Sequence, residues 1–316
     1  MPAAAFRIER LDVATGRDDF RAALALVLRR LPEEIAASKI ALAVDVPPAA
    51  LENASAAGEL WRAVDARGGL SGAVWGQTQA PGVITVWLPQ WLAEPEPSPG
   101  PDPLLEALCD SATAGGAALL QTLIHTDDAD SARVLTAGGF QHLADLEFQS
   151  ATCSDAAATG SDELEFPLVA NAEREQLARL VDASYTGTLD CPALNGVRTG
   201  VEVLDEYDLI GAPRSDRWCW VRHGNENVGC LLLADHPEQD QAELVYMSLL
   251  PVARGRGWGA TVARQALAIA ASWQRSRVVL AVDAANHPAR RIYDAAGFAP
   301  FAVRAAWIRV ASRPTS

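Results

Sequence analysis

The clearest chemical potential lies in one hexapeptide, Arg254-Gly255-Arg256-Gly257-Trp258-Gly259. Alternate glycines let a backbone approach a ligand closely and turn its N–H groups outward. The segment follows an apolar strand and opens a helix. The helix dipole and the unpaired N–H groups of the first turn therefore add to the loop. Together they form an anion site suited to a phosphate or pyrophosphate. Arg254 and Arg256 bring positive charge to a chain whose formal net charge is −14. A Walker loop needs Gly-Lys-Ser/Thr, which is absent. A dinucleotide-binding turn needs G-x-G-x-x-G early in a βαβ unit, whereas the spacing here is G-x-G-x-G and the strand order differs. A plain structural turn is the remaining alternative.

Other chemistry is sparse. Cys109, Cys153, Cys191, Cys219 and Cys230 form no C-x-x-C pair and no zinc spacing, and read as reduced thiols of a cytosolic protein. No Ser-His-Asp triad is legible. His125, His142, His223 and His236 are scattered and predict no metal, and His287 reads as a first-turn helix residue before Pro288. Cys191 lies in the turn-rich segment 184–196, which reads either as a border of the acceptor site or as a surface loop held by Asx turns. A lone cysteine there is usually inert.

The elements that must position this loop are legible around it. Helical spacing covers 171–186, with Asn171 as its cap. A hairpin follows, with strands at Trp218–His223 and Val228–Ala234 and a turn at 224–227. Glu243–Leu250 is a strand, 257–274 an Ala-rich helix, and Arg277–Ala284 a buried strand. A short helix at 287–296 ends at Gly297, and Phe301–Val310 is the last strand. The order predicts a mixed α/β fold. Residues 93–103 are too Pro-rich for a helix interior or a central strand, and 150–162 reads as a linker.

The chain also repeats. Placing Phe140 on Phe298 gives an offset of 298 − 140 = 158, at which 119–140 falls on 277–298 without a gap. Both segments run from a strand through an Ala/Arg helix to Gly-Phe. At this offset the glycine-rich loop meets Glu96-Pro97-Ser98-Pro99-Gly100-Pro101, whose prolines have no N–H to offer a phosphate. Tyr293 meets Leu135, and Asn286 meets Asp128.

The second half resembles the GNAT superfamily of acyl-CoA-dependent N-acyltransferases. Arg254, Gly257 and Gly259 match its Arg/Gln-x-x-Gly-x-Gly/Ala motif, and Asn286, Ala289, Tyr293 and Gly297-Phe298 match its downstream motif. The resemblance covers roughly 163–310. It implies two tandem GNAT-like domains, 1–150 degenerate and 163–316 active, with a linker at 151–162. It further implies a sheet that opens between the strands at 243–250 and 277–284 to admit the pantetheine arm of acetyl-CoA or another acyl-CoA. Cofactor contacts then fall to the backbone of Met247, Ser248 and Leu249, to residues 254–259 (Arg254, Gly255, Arg256, Gly257, Trp258, Gly259), and to Asn286. No metal is implied.

In many such enzymes the tyrosine at the position of Tyr293 protonates the leaving thiolate, and in the histone-acetyltransferase members, whose matching strand Glu243–Leu249 resembles, the glutamate at the position of Glu243 is the general base. Moving a proton from an amine near ~10.4 to a carboxylate near ~4.3 costs about 8 kcal/mol, so burial or a water relay must assist. An N–H near Leu249 is the candidate oxyanion donor. The expected reaction is acyl transfer to a primary amine by direct attack in a ternary complex. An acyl-CoA-binding sensor without turnover is the alternative, needing the loop but neither Tyr293 nor Glu243.

Composition sets the outer bounds. A length of 316 residues suggests about two domains of ~150 residues. The 49% hydrophobic fraction suffices for a sizeable core. Residues 1–160 carry 10 basic and 21 acidic groups, net −11, and 161–316 carry 16 and 19, net −3. This balance argues against nucleic acid as a partner. The N-terminus lacks an apolar h-region and no apolar run reaches ~18 residues, so no membrane is expected and the location expected is cytoplasmic. The expected partner is a small-molecule or peptide amine, and a monomer accords with an internal pseudo-dimer.

Overall fold

The computed structural model describes residues 6–12, 16–45, 58–93, 100–153 and 163–311. Contacts divide the chain into two units, Met1–His142 with Ala306–Ser316, and Leu143–Ala305. The sequence-based boundaries differ from this division by one strand at each end. The linker residues 154–162 and the Pro-rich residues 94–99 lie outside the described residues.

In the first unit, β1 (Arg7–Leu11), α1 (Arg17–Val27), α2 (Glu33–Asp45), β2 (Gly58–Val64), β3 (Leu70–Ala80) and β4 (Val83–Trp91) precede α3 (Pro103–Ala114), β5 (Leu119–Ile124) and α4 (Ala129–Ala137). β1 to β4 form an antiparallel series, and β4 pairs with β5 in parallel. Phe20, Leu24 and Val27 of α1 pack on Leu60, Ala73 and Trp75 of the sheet.

β6 (Gln141–Thr152) runs into the second unit. There α5 (Arg174–Ser184), α6 (Gly200–Asp208), β7 (Trp218–His223), β8 (Glu226–His236), β9 (Gln241–Leu249), α7 (Trp258–Ser272), β10 (Arg277–Asp283) and α8 (His287–Ala295) follow. β11 (Ala299–Val310) closes the series, and its residues from Ala306 on count with the first unit. In that unit Ala311 N–H donates to Ala118 O and Arg309 to Gly138 O. In the second unit, β6 pairs antiparallel with β10 from Thr152↔Arg277 to Leu146↔Asp283.

The second unit has two apolar layers on its sheet. Val262, Ala266 and Ala270 of α7 pack against Leu231, Leu233, Leu244, Val278 and Leu280. On the other layer, Leu177 and Val181 of α5 and Val203 and Leu204 of α6 meet Trp218, Trp220 and Leu232. These positions alternate along the strands because successive side chains leave opposite faces.

Two helix starts differ from expectation. Asn171 does not cap α5; it opens a 3-10 turn, and the Glu173 carboxylate accepts from Ala170 N–H at 2.9 Å. α6 was not expected at all. Its signal is Thr199-Gly200-Val201-Glu202: Thr199 Oγ1 accepts from Glu202 N–H at 3.3 Å, and Glu202 Oε2 accepts from Thr199 N–H at 2.7 Å. This reciprocal capping is written in the sequence.

The offset of 158 holds for whole elements. Adding 158 to the bounds of β4, α4 and β6 gives 241–249, 287–295 and 299–310, the bounds of β9, α8 and β11. The parallel rungs repeat as well, since Val83–Thr85 pair with Leu119–Gln121 as Gln241–Glu243 pair with Arg277–Val279.

Candidate active site

The parallel ladder between β9 and β10 stops after three rungs, at Glu243↔Val279. Beyond it β9 stays with β8 as far as Leu249↔Gly229, while β10 stays with β6 as far as Asp283↔Leu146. The register of β9 slips by one residue at Val245, a bulge that turns the strand away. A V-shaped opening results. Leu250 N–H donates to Val228 O, so by alternation Tyr246 and Ser248 turn their backbone to β8, while Met247 and Leu249 turn theirs into the opening. The same count from Ala284 N–H on Asp145 O puts the backbone of Ala281 and Asp283 on the opening from the other side. The expectation for Ser248 is thereby corrected: its backbone faces β8 and its Oγ lies 3.4 Å from Cys230 Sγ.

The glycine-rich loop follows from the open end of β9. Gly255 and Gly257 have φ of 76° and 80°, which side chains resist and glycine adopts freely. No side chain caps α7 at Gly257. Among the described residues, no backbone N–H from 255 to 258 donates to another backbone atom. These are free donors at a helix N-terminus, as an anion site requires. Gly259 has a different task. A Cβ there would lie 2.5 Å from Ile292 Cδ1, so its absence lets α7 and α8 pack closely.

The large side chains of the loop serve the scaffold. The Arg254 guanidinium donates to Ser184 O at 2.6 Å, Thr186 O at 2.9 Å, Leu249 O at 3.0 Å and Gly187 O at 3.3 Å. It joins the C-terminus of α5 to the end of β9, where a cation is favoured. The Trp258 ring is buried; its Nε1 donates to Glu163 at 2.9 Å, and Arg256 lies 5.0 Å over the ring. Of Trp258, only the backbone is placed for a ligand.

Tyr293 on α8 is 8% exposed and meets Phe298 edge-on at 5.8 Å. Its hydroxyl makes no hydrogen bond among the described residues. Burial, and then the charge of Asp190, hold the phenol above its ordinary range. Asn286 Oδ1 caps α8 by accepting from Ala289 N–H at 3.2 Å, as Asp128 caps α4 from Ser131 N–H at 3.0 Å. Glu243 stands on the last rung of the ladder with Oε2 at 3.0 Å from His236 Nε2.

The segment 184–196 supplies residues that sequence reasoning did not single out. Asp190 Oδ1 accepts from Asp283 N–H at 3.1 Å, and Asp283 Oδ2 accepts from Cys191 N–H at 3.3 Å. Asn286 lies near enough to Asp190 to favour its charged form. Crowding by protein, with the charge of Asp283, raises the Asp190 carboxyl against the opposing pull of the Asp283 N–H. The Cys191 thiol is pushed up to about 12 by burial and by Asp190 and Asp283, which disfavours the reactive thiolate. Tyr246 beside this segment shares a 2.7 Å hydrogen bond with Ser184 Oγ and packs its ring against Tyr185 and Tyr207.

The corresponding helix of the first unit, α3, carries a side-chain cap. Asp102 accepts from Leu104 N–H at 2.9 Å and Leu105 N–H at 3.2 Å, and from Trp91 Nε1 at 2.8 Å. A carboxylate thus caps the first turn of α3, whereas no side chain caps α7.

A mixed sheet opened between two parallel strands, with a glycine-rich helix N-terminus after the first, is the arrangement that the GNAT resemblance implies. Residues 185–298 match the model of the acetyltransferase (GNAT) family. Solved structures share the fold. A GNAT from Sphaerobacter thermophilus is 13% identical, with 98% of this chain and 96% of that one covered, at a TM-score of 0.55. The tandem GNAT protein from the clavulanic acid biosynthesis pathway is 14% identical, covering 98% and 100%, at 0.52. The glucosamine N-acetyltransferase region of a fungal multi-domain GH3 β-N-acetylglucosaminidase is 14% identical at 0.60, with 97% of this chain and 38% of that one covered. No curated protein matches the sequence. Among the described residues, no helix is long and apolar enough to cross a membrane, and no group of three or more His, Cys, Asp or Glu is placed to hold a metal.

Proposed function

We propose that the second unit binds acetyl-CoA, or a related acyl-CoA, and transfers the acyl group to a primary amine by direct attack in a ternary complex. The observation that carries this reading is the opening between β9 and β10, with free loop donors after it and the Met247 and Leu249 backbone turned into it. The loop N–H groups hold the pyrophosphate. The backbone of Met247 and Leu249 receives the pantetheine arm like an added strand. Leu249 N–H supports the developing oxyanion. Tyr293 gives its proton to the departing thiolate. Glu243 is the base implied by its strand, but it stands four residues before Met247, roughly 10–13 Å away. From there it works through water.

The first unit is a degenerate copy in this proposal, because Asp102 fills its helix N-terminus. Calorimetric titration with acetyl-CoA is expected to show one site per chain. Two sites would overturn the degenerate copy. Absence of binding at about 1 mM would overturn the acyltransferase reading altogether. Binding without turnover on a broad amine panel would instead favour the acyl-CoA sensor.

A further inference from the structure

Three carboxylates among the described residues of the chain are buried: Glu147, Asp235 and Asp283. Glu147 is bound by Arg290, and Asp235 by Arg275 and Arg214. Asp283 has no arginine or lysine partner among the described residues; it faces a second carboxylate, Asp190, which has none either. A buried carboxylate held beside a second, exposed one with no cationic side chain opposite favours a cationic ligand.

The pair stands where the chemistry is expected. Asp190 rests on the Asp283 N–H, which faces the opening. Four residues past the last rung, Glu243↔Val279, bring Asp283 to about the level of Met247 on the opposite strand. Asp190 is itself exposed, so a ligand can reach it, although protein crowds its carboxyl. A second feature points to a ligand at this spot. Tyr293, nine-tenths buried, has a hydroxyl with no partner and lies within the electrostatic reach of Asp190.

We infer that Asp190, backed by Asp283, holds the ammonium of the acceptor beside the thioester and takes its first proton. The acceptor class is therefore a cationic primary amine. The inference rests on the acyltransferase reading. Asp190 removes a proton from R–NH3+. The freed nitrogen forms the C–N bond to the acyl carbon, and the C–S bond breaks. The thiolate takes the Tyr293 proton, the second amine proton restores the phenol, and Asp190 releases its proton to water. The raised Asp190 carboxyl narrows the gap to the amine, which favours this transfer. Glu243, across the intervening water, receives the proton that Asp190 releases and passes it to solvent.

The test is calorimetric titration of n-butylammonium chloride into the full chain saturated with CoA, with butyramide as the neutral probe. The wild type is expected to bind the ammonium and not the amide. Asp190→Asn, which keeps a carbonyl oxygen for the Asp283 N–H, is expected to weaken ammonium binding about tenfold or more while CoA affinity stays as in the wild type. Asp190→Glu, which keeps the charge, is expected to restore selectivity for the ammonium. Equal ammonium binding by wild type and Asp190→Asn would overturn the inference, as would no ammonium binding by the wild type at about 50 mM. Failure of the wild type to bind CoA would fall instead on the acyltransferase reading.

Discussion

Tyr293→Phe is expected to lower kcat by roughly 10²- to 10⁴-fold and to leave acetyl-CoA affinity unchanged. The change removes one oxygen from a side chain that is 8% exposed and packed against Phe298. The hydroxyl makes no hydrogen bond among the described residues, so its loss leaves no partner unsatisfied and costs the fold little. At the repeat-equivalent position Leu135 is fully buried, which shows that an apolar side chain suits this place on the helix. A role in packing alone thus predicts an unchanged enzyme. A role as acid predicts loss of turnover without loss of binding. The phenol is held above its ordinary value by burial and by Asp190, so it keeps its proton throughout the working pH range. Steady-state kinetics with an amine that the wild type acylates, beside calorimetry with acetyl-CoA, decides the matter. Undiminished kcat would remove Tyr293 from the mechanism.

The largest effect on stability is expected from Asp235→Ala, a loss of about 3 kcal/mol. Asp235 is 2% exposed on β8, opposite Ala242 of β9, at the closed end of the opening. Arg275 Nε donates to it at 2.6 Å and Arg214 Nη1 at 3.2 Å. Arg214 also binds Asp216 and lies 4.5 Å over the Trp273 ring, so the network ties β8 to the C-terminus of α7. Removing the carboxylate leaves two guanidinium groups facing each other. Burial by itself would raise the Asp235 carboxyl, but the hydrogen bonds and charge of Arg275 and Arg214 outweigh it and hold it below its ordinary value. Its stabilising contribution is therefore complete above about pH 4, the unfolded value, and fades as pH falls through the lower folded value. Urea unfolding at neutral pH measures the loss. A difference under about 1 kcal/mol would show that the network contributes no more than a surface pair.

The legible parts of this molecule are those whose signals are local. The glycine-rich loop, the strand before it and the Gly297 stop each depend on a few consecutive residues, and each lies where the sequence puts it. The repeat offset carries over to whole elements for the same reason. The α6 cap was equally local and was overlooked. What spacing does not reveal is long-range. Asp190 and Asp283 are 283 − 190 = 93 residues apart and meet only because a loop docks on a strand tip. The Arg254 side chain looked like phosphate-binding charge, yet its geometry is set by the carbonyls that end α5. Ser248 turned to β8 because a bulge at Val245 changed which residues face the opening.

The strands β6 and β11 each divide between the two units, β6 after His142 and β11 after Ala305. A gene fragment for 163–316 lacks Leu146–Thr152, and β10 then presents Leu280 and Val282 on a bare edge open to aggregation. A fragment cut at the sequence linker therefore removes a strand that the second unit uses.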